Sequence, residues 1–208
     1  TFEEDTALWQ KLREGRLRRD IAEEADRYAF TWDYLSAAGF AQYEVSNFAR
    51  PGHECRHNAN TWRMGHWLGL GPSAASQGPN WRFGNVADND KWRKCFGVPP
   101  AGLPTLFNAT AAQPLGLERL AERGWVDVVA LDDTLRVTDC LIFGLRMNAG
   151  INLAHLAARF PNVNLTRFEP LWQRLADEGY LTRTAERLQL THEGRLRADA
   201  IGTEILSG

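Results

Sequence analysis

The chain has 208 residues, enough for one large domain or two small ones with a hydrophobic core. Its formal net charge of −2 gives no basic character for binding nucleic acid, and no stretch is apolar for long enough to span a membrane. No secretion signal is recognisable, and three widely spaced cysteines, Cys55, Cys95 and Cys140, favour a reducing cytoplasm over a disulfide framework.

Residues 20–39 predict an amphipathic helix. Asp20 is a suitable N-cap residue, and Gly39 ends the helix because glycine accepts the left-handed conformation. Between them, apolar side chains recur at steps of three and four residues, which is the spacing of one helical face. They are Ile21, Ala25, Tyr28, Trp32 and Leu35. A shorter helix and a basic connector are expected before Asp20, within residues 3–19.

The stretch from Tyr43 to Phe48 predicts a β-strand, because it is rich in aromatic and β-branched side chains and ends at Pro51-Gly52. A helix followed by a strand forms an α/β unit, and such units normally belong to a parallel sheet. One unit cannot cover both faces of its strand. We therefore expect the sheet to begin in sequence outside this chain.

Two neighbouring stretches carry the candidate site residues. Residues 53–62 are expected to form a loop dense in ligand-type side chains, in which His57 is the most prominent and Trp62 supplies an aromatic ring. The alternative for His57 is a histidine hydrogen-bonded within the turn. A strand is then predicted over Trp67–Ala75. Its glycines let the backbone approach either a ligand or another strand closely, and it lacks the lysine of a phosphate loop.

The middle of the chain predicts a strand pair within residues 67–86, turning at Gly78-Pro79-Asn80, and a short helix over residues 88–96. Gly97 to Pro104 is rich in proline and glycine and is the predicted linker. A helix over residues 115–123 and a strand over residues 125–131 follow. The expected division is a first domain in residues 1–100, a linking segment in 101–130 and a C-terminal domain in 131–208.

The C-terminal domain predicts three helices, a hairpin and a last helix, which is the layout of a winged helix. The predicted caps are Asn152, Thr166 and Thr191, and the hairpin turns at Thr184-Ala185-Glu186. Winged helices often bind DNA through the third helix. Here that helix carries three acidic residues against two arginines on its exposed positions, which disfavours contact with phosphates.

Four segments together resemble one known family. They are Tyr43-Glu44-Val45-Ser46-Asn47-Phe48-Ala49-Arg50-Pro51-Gly52, Arg56-His57-Asn58, Leu68-Gly69-Leu70-Gly71-Pro72-Ser73-Ala74 and Leu188-Gln189-Leu190-Thr191-His192-Glu193-Gly194. The chain resembles the C-terminal half of the oxygen-independent coproporphyrinogen III oxidase family of radical-SAM proteins (HemN/HemW-like). The resemblance is closest to the heme-chaperone branch, called HemW-type. It implies an α/β fold: the end of a partial radical-SAM (β/α) barrel with extra strands, then a mostly α winged-helix-like domain.

The resemblance also implies roles for the candidate residues. In the heme-chaperone branch a His-Asn-x-x-Tyr-Trp signature is associated with heme binding, and here Thr61 stands at the tyrosine position. It implies that His57 is the ligand of the heme iron, with Asn58 and Trp62 shaping the pocket. The arginines before Asp20 are then either a solvated face or a clamp for porphyrin propionates.

The same resemblance implies that the stretch Trp67–Ala75 contributes to a cofactor site. In the family, the corresponding strand end lies beside the S-adenosylmethionine pocket. The small residues that would admit adenosine or a second cofactor molecule are Gly69, Gly71, Ala74 and Ala75. Glycines used for strand packing are the alternative.

The intact parent is expected to use S-adenosylmethionine and a [4Fe–4S] cluster. The cluster requires a Cys-x-x-x-Cys-x-x-Cys loop, which this sequence lacks, so the chain alone is expected to be inactive. Its expected partners are a tetrapyrrole, either heme or coproporphyrinogen, and its own N-terminal barrel half. Neither nucleic acid nor a membrane span is expected. The competing interpretation is a stand-alone heme-binding or protein-binding module without catalysis.

Overall fold

The computed structural model describes residue 4, residues 6–96 and residues 125–207. Two helices open this part of the chain, α1 (Ala7–Arg13) and α2 (Ile21–Ala37). The cap predicted for α2 is confirmed, since the Asp20 carboxylate accepts a hydrogen bond from the Glu23 backbone N–H at 3.0 Å. Gly39 follows the helix at a φ of +82°, as expected for a residue that ends a helix.

An antiparallel hairpin follows α2, where the sequence predicts one strand of a parallel sheet. Its strands are β1 (Ala41–Glu44) and β2 (Asn47–Ala49). The prediction of a continuous strand over Tyr43–Phe48 is therefore wrong. Glu44 explains the turn, because its fully buried carboxylate accepts hydrogen bonds from the Ser46 backbone N–H, at 3.1 Å, and from the Asn47 side-chain amide.

The expected loop over residues 53–62 is largely a helix, α3 (Arg56–Trp62). No proline or glycine interrupts these residues, and Ala59 is buried on the inner face. The Trp62 ring packs against Phe143 with ring centres 5.8 Å apart. Packing of this inner face explains why α3 forms, although the local sequence does not predict a helix there.

A three-stranded antiparallel sheet comes next, together with helix α4 (Asn89–Phe96). The strands, in spatial order, are β3 (Ala75–Gln77), β4 (Trp81–Asn85) and β5 (Trp125–Ala130). The predicted pairing within residues 67–86 is thus confirmed. The strand predicted over Trp67–Ala75 is wrong, because only Trp67 forms an isolated bridge, to Gln77, before β3 begins.

The C-terminal part alternates helices with a second three-stranded antiparallel sheet of order β6-β8-β7. Its helices are α5 (Asp133–Leu145), α6 (Leu153–Arg159), a 3₁₀ helix (Leu165–Phe168), α7 (Glu169–Asp177), α8 (His192–Leu196) and α9 (Ala198–Ser207). Its strands are β6 (Ile151–Asn152), β7 (Leu181–Arg183) and β8 (Arg187–Leu190). Asn152 and Thr191 cap α6 and α8 as predicted, whereas Asn164, and not Thr166, caps the 3₁₀ helix.

One large hydrophobic core joins the hairpin to the C-terminal helices. It is formed mainly by α5, α7, α9 and the sheet of β7 and β8, and it includes Val45 and Met64 from the first half of the chain. The backbone continues this junction, since Val45 N–H donates to the Arg146 carbonyl and Asn148 N–H to the Tyr43 carbonyl, both at 3.0 Å. The hairpin therefore belongs to the same packed body as α5.

Two sequence predictions lie outside the described residues, namely the linker at 97–104 and the helix at 115–123. The division into domains accordingly stays a prediction. In the part of the chain that the structure describes, no helix is long and apolar enough to cross a membrane.

Candidate functional site

A cavity of about 490 Å³ lies between α3, the sheet of β3–β5 and α5. This volume falls in the range of roughly 300–1,000 Å³ that is typical of small-molecule sites. Its apolar lining includes Met64, Trp67, Phe83, Val126, Val129 and Phe143, and its polar lining includes Ser76, Gln77, Arg82, Asn85 and Asp127. An apolar cavity with a few fixed polar groups suits a largely hydrophobic ligand.

The buried polar residues of this cavity hold the loop that precedes β3. The Asn85 side-chain amide donates to the carbonyls of Gly69, at 3.1 Å, and Gly71, at 2.8 Å. Gly69 N–H donates to the Ser76 hydroxyl at 3.0 Å. These contacts fix the cavity wall, because both Ser76 and Asn85 are almost completely buried.

The four small residues of this loop are not placed alike. Ala75 lines the cavity, and Gly69, Gly71 and Ala74 do not line it. A Cβ atom on Gly69 would lie 2.3 Å from the Ala75 carbonyl oxygen, so close backbone packing requires glycine there. Gly71 adopts a φ of +101°. Close packing therefore accounts for Gly69 and the left-handed backbone for Gly71, and a place beside S-adenosylmethionine stays a prediction.

His57 lies in the first turn of α3 with its side chain exposed. Within the described residues its imidazole makes no hydrogen bond, ion pair or ring contact, so no turn hydrogen bond of the kind considered above forms there. Thr61 lies four residues later, on the same helix face, and lines the cavity. Its hydroxyl donates to the His57 carbonyl at 3.0 Å. His57 thus lies one helical turn from a cavity wall.

Trp62 lies on a different face of α3 from His57, because five residues separate them on a helix. Its ring packs on Phe143, and the Arg146 guanidinium lies 4.9 Å from its centre. Asn58 is half-buried. The structure therefore brings His57 and Thr61 together but places Trp62 in the junction with α5.

A group of basic side chains beside the cavity was missed at the sequence level. Arg82 of the cavity wall forms an ion pair with the buried Asp139 at 3.1 Å. Burial raises the pKa of Asp139, and Arg82 only partly offsets this. Partial burial lowers the pKa of His66, and the positive charges of Arg159 and Arg136 lower it further. These residues are far apart in sequence, so no local motif predicts that they lie close together.

The described residues contain no group of three or more histidine, cysteine, aspartate or glutamate side chains that could hold a metal ion. All three cysteines are unpaired; Cys55 and Cys95 are exposed and Cys140 is buried. Burial raises the pKa of the Cys140 thiol, which keeps it protonated and unreactive. The role of His57 as a ligand of heme iron stays a prediction.

Comparison with known proteins gives a consistent result. A family model described as the HemN C-terminal domain matches residues 131–197. The "Heme chaperone HemW" of Mycobacterium tuberculosis is 37% identical over 205 residues, which is 98% of this chain and 45% of that protein. The mitochondrial "Radical S-adenosyl methionine domain-containing protein 1" of Dictyostelium discoideum is 27% identical over 231 residues, covering 99% of this chain and 48% of that protein.

A solved structure supports the fold. The radical-SAM coproporphyrinogen III oxidase HemN of Escherichia coli superimposes with a TM-score of 0.61 and 16% sequence identity, covering 90% of this chain and 42% of that chain. The chain thus spans about half the length of the curated relatives that it matches. The matched C-terminal domain, the similarity to HemW along 98% of this chain and the fold shared with HemN together identify the chain as similar to the C-terminal part of HemN/HemW proteins.

Proposed function

We propose that this chain is the tetrapyrrole-handling part of a radical-SAM protein of heme metabolism, and that it carries heme with His57 as an axial ligand. The intact protein would use S-adenosylmethionine and a [4Fe–4S] cluster held by its N-terminal barrel half. Similarity to proteins named heme chaperones favours heme carriage over coproporphyrinogen oxidation.

The observation that carries this proposal is the position of His57. An exposed imidazole without an internal partner is available as a ligand, and it shares a helix face with Thr61 at the cavity wall. A neutral imidazole binds heme iron through one ring nitrogen. Heme would supply an open coordination position for this nitrogen, and the chain would supply the apolar wall for the macrocycle.

The test compares His57→Ala with the unmutated chain in titrations with ferric heme. We expect the Soret shift of a nitrogen-ligated heme to be lost and affinity to fall at least about tenfold, since a ligand bond is removed. The melting temperature should stay the same, because exposed side chains without partners contribute little to stability. His155→Ala, an exposed histidine on α6, is the matched control.

Two results would contradict the proposal. The first is unchanged heme affinity in His57→Ala. The second is a loss of affinity that merely follows a lowered melting temperature. Thr61→Tyr provides a further arm, because it restores the tyrosine of the family signature beside the cavity; tighter binding is expected if that position contributes to heme carriage.

The chain alone is proposed to be inactive in radical chemistry and to require its N-terminal barrel half as a partner. Helix α2 supports such a partner: Phe30 and Tyr34 stack with ring centres 6.0 Å apart, and both are more than 60% exposed. Large exposed aromatic pairs are typical of surfaces that are covered in the complete assembly. In the same proposal, Gly69, Gly71, Ala74 and Ala75 lie beside the S-adenosylmethionine of the intact protein.

Residues 131–208 are proposed to form a winged-helix cap over the barrel. The order of α5, β6, α6, α7 and the β7–β8 hairpin supports this assignment. DNA is not the proposed partner, because Arg174 of α7 is already paired with Glu178 and Glu204, and Arg183 with Glu169. The three unpaired cysteines support a reducing compartment such as the cytoplasm.

A stand-alone module that binds heme or protein without catalysis is the second candidate. Only the cavity and His57 favour it, and both would serve equally within a larger protein. An iron–sulfur cluster motif upstream in the same reading frame would decide for the first proposal.

A further inference from the structure

We propose that Arg136 and Arg159, called here the arginine clamp, bind a carboxylate group of the ligand whose apolar body occupies the adjoining cavity. The identification of that ligand as a tetrapyrrole rests on the function proposed above. The clamp itself is inferred from the geometry and charge of described residues.

The two guanidinium groups lie near the same aromatic ring. The guanidinium carbon of Arg136 lies 4.9 Å, and that of Arg159 5.2 Å, from the centre of the buried Phe160 ring. Two like charges held at the same ring repel each other, and a bound anion would relieve the repulsion. An anion bound near both groups would be attracted by both charges.

The clamp adjoins the cavity through the segment that follows α3. An Nη atom of Arg159 donates to the Met64 carbonyl at 3.1 Å, and Met64 lines the cavity. His66 follows two residues later, before the cavity residue Trp67. A ligand in the cavity can therefore extend a side arm toward the clamp.

The positive charge of this region is only partly neutralised. Asp133 pairs with Arg136 at 2.7 Å, and Asp139 pairs with Arg82. Arg159 has no carboxylate partner in the described part of the chain; besides the Met64 carbonyl, its hydrogen-bond partner is the Cys140 sulfur at 3.7 Å. The lowered pKa of His66, caused first by burial and then by Arg159 and Arg136, reflects the same excess of positive charge.

The chemistry of guanidinium selects the ligand group. Each guanidinium presents five N–H donors in a planar fork that matches the two oxygens of a carboxylate. Arg136 and Arg159 together use few of these donors on protein atoms. A tetrapyrrole combines an apolar macrocycle with carboxylate arms, which matches a cavity walled by Trp67 and Phe83 with Arg159 bonded to its wall residue Met64.

A purely structural role explains less. Arg159 does tie α6 to the Met64 carbonyl, but this uses one nitrogen and gives no reason for a second arginine at the same ring. Arg159 is also exposed and has no carboxylate partner among the described residues, so its guanidinium is accessible to a ligand. Carboxylate binding accounts for both features.

The experiment compares ferric heme with its dimethyl ester, in which both carboxylates are blocked. We expect the unmutated chain to bind heme at least about tenfold more tightly than the ester, since hydrogen bonds to charged groups are the stronger class. Arg136→Gln and Arg159→Gln should each lower heme affinity by a similar factor and reduce the preference over the ester. Arg197→Gln is the matched control, because Arg197 also lies over an aromatic ring, that of Tyr180 at 4.9 Å.

Melting temperatures show whether a variant loses affinity because it is less stable. Arg159→Lys is a second variant, which keeps the positive charge but lacks the planar guanidinium. We expect Arg159→Lys to retain part of the preference for free carboxylates. An unchanged preference in both glutamine variants, at unchanged melting temperature, would overturn the clamp.

A citrate arm separates the clamp from the proposed function. Citrate should raise the pKa of His66, followed by NMR, in the unmutated chain and not in Arg136→Gln or Arg159→Gln. If neither form of heme binds but citrate gives this response, the heme proposal fails and the clamp stands as a site for small free carboxylates. If citrate gives no response and the ester binds as tightly as heme, the clamp is rejected while heme carriage stands.

Discussion

Gly69 and Gly71 lie two residues apart and are glycine for different reasons. A Cβ atom on Gly69 would collide with the Ala75 carbonyl, whereas a Cβ on Gly71 would meet open space but stand on a left-handed backbone. Gly71→Ala should therefore cost about 1 kcal/mol in the free energy of unfolding. Gly69→Ala should cost more, roughly 2–4 kcal/mol, because backbone must move. Urea denaturation of both variants measures the difference.

The test depends on which of these two variants loses more free energy of unfolding. Gly71→Asn should be milder than Gly71→Ala, since asparagine tolerates the left-handed region better. An equal or smaller cost for Gly69→Ala would show that the loop before β3 is not held as tightly as the contacts of Asn85 indicate.

Asp139 is expected to make stability depend on pH. Burial raises its folded-state pKa above the ordinary value of about 3.9, and Arg82 offsets only part of this. The folded protein therefore holds this proton more strongly than the unfolded chain does. The resulting stability is complete below the ordinary pKa and is lost as pH rises through the folded-state pKa.

The measurement compares the unmutated chain with Asp139→Asn, which stays neutral. The free energy of unfolding of the unmutated chain, relative to that of Asp139→Asn, should fall as pH rises above the ordinary carboxyl pKa of about 3.9. Arg82→Gln should steepen the fall, because it removes the charge that favours the ionised carboxylate. A relative stability that rises over this interval would show that the ion pair with Arg82 outweighs burial.

At the scale of elements, the β1–β2 hairpin depends on one buried acid. Glu44 is fully buried and accepts the hydrogen bonds that close the turn. Glu44→Ala should lower the free energy of unfolding by about 2–3 kcal/mol, because it leaves the Ser46 N–H without an acceptor and opens a cavity. Asn47→Ala, which removes only one donor, should cost about 1 kcal/mol. Equal effects in denaturation would argue against a central role for Glu44.

The sequence predicted those elements whose signals are local. Asp20, Asn152 and Thr191 are recognisable caps, and the β3–β4 and β7–β8 turns carry their own turn residues. The hairpin at Glu44 and helix α3 were missed, because their formation depends on burial against α5. A carboxylate inside a turn and a buried Ala59 have no signature before the fold is known.

The same reasoning separates the parts of the candidate site. His57 could be singled out because a short motif carries it. The clamp could not, because Arg136 and Arg159 are joined only through Phe160 and the packing of α5 beside α6. Contacts between distant segments can be identified only from the structure, whereas a short motif can be recognised in the sequence.

At the scale of the whole molecule, contacts cross the predicted domain boundary. Met64 and Val45 belong to the core of the C-terminal part, Arg82 pairs with Asp139, and Asn148 donates to the Gln42 carbonyl at 2.7 Å. Residues before position 97 and after position 124 thus share one packed body. The predicted linker at residues 97–104 is compatible with this shared core. Cleavage of the chain in that linker, however, should leave the two pieces associated.

A specific protease site introduced between Gly97 and Pro104 tests this view. Cleavage is expected to proceed because the segment is rich in proline and glycine, which disfavour regular structure. The two pieces should then elute together from a sizing column in native buffer, because the shared core and the hydrogen bonds of the hairpin hold them. The two pieces should separate in denaturant.

Leu145→Ala, which truncates a 2% exposed side chain in that core, should weaken the association of the two pieces, whereas Thr203→Ala on the exposed face of α9 should not. Separation of the cleaved chain in native buffer, with residues from about 131 onward still folded, would instead establish two independent domains.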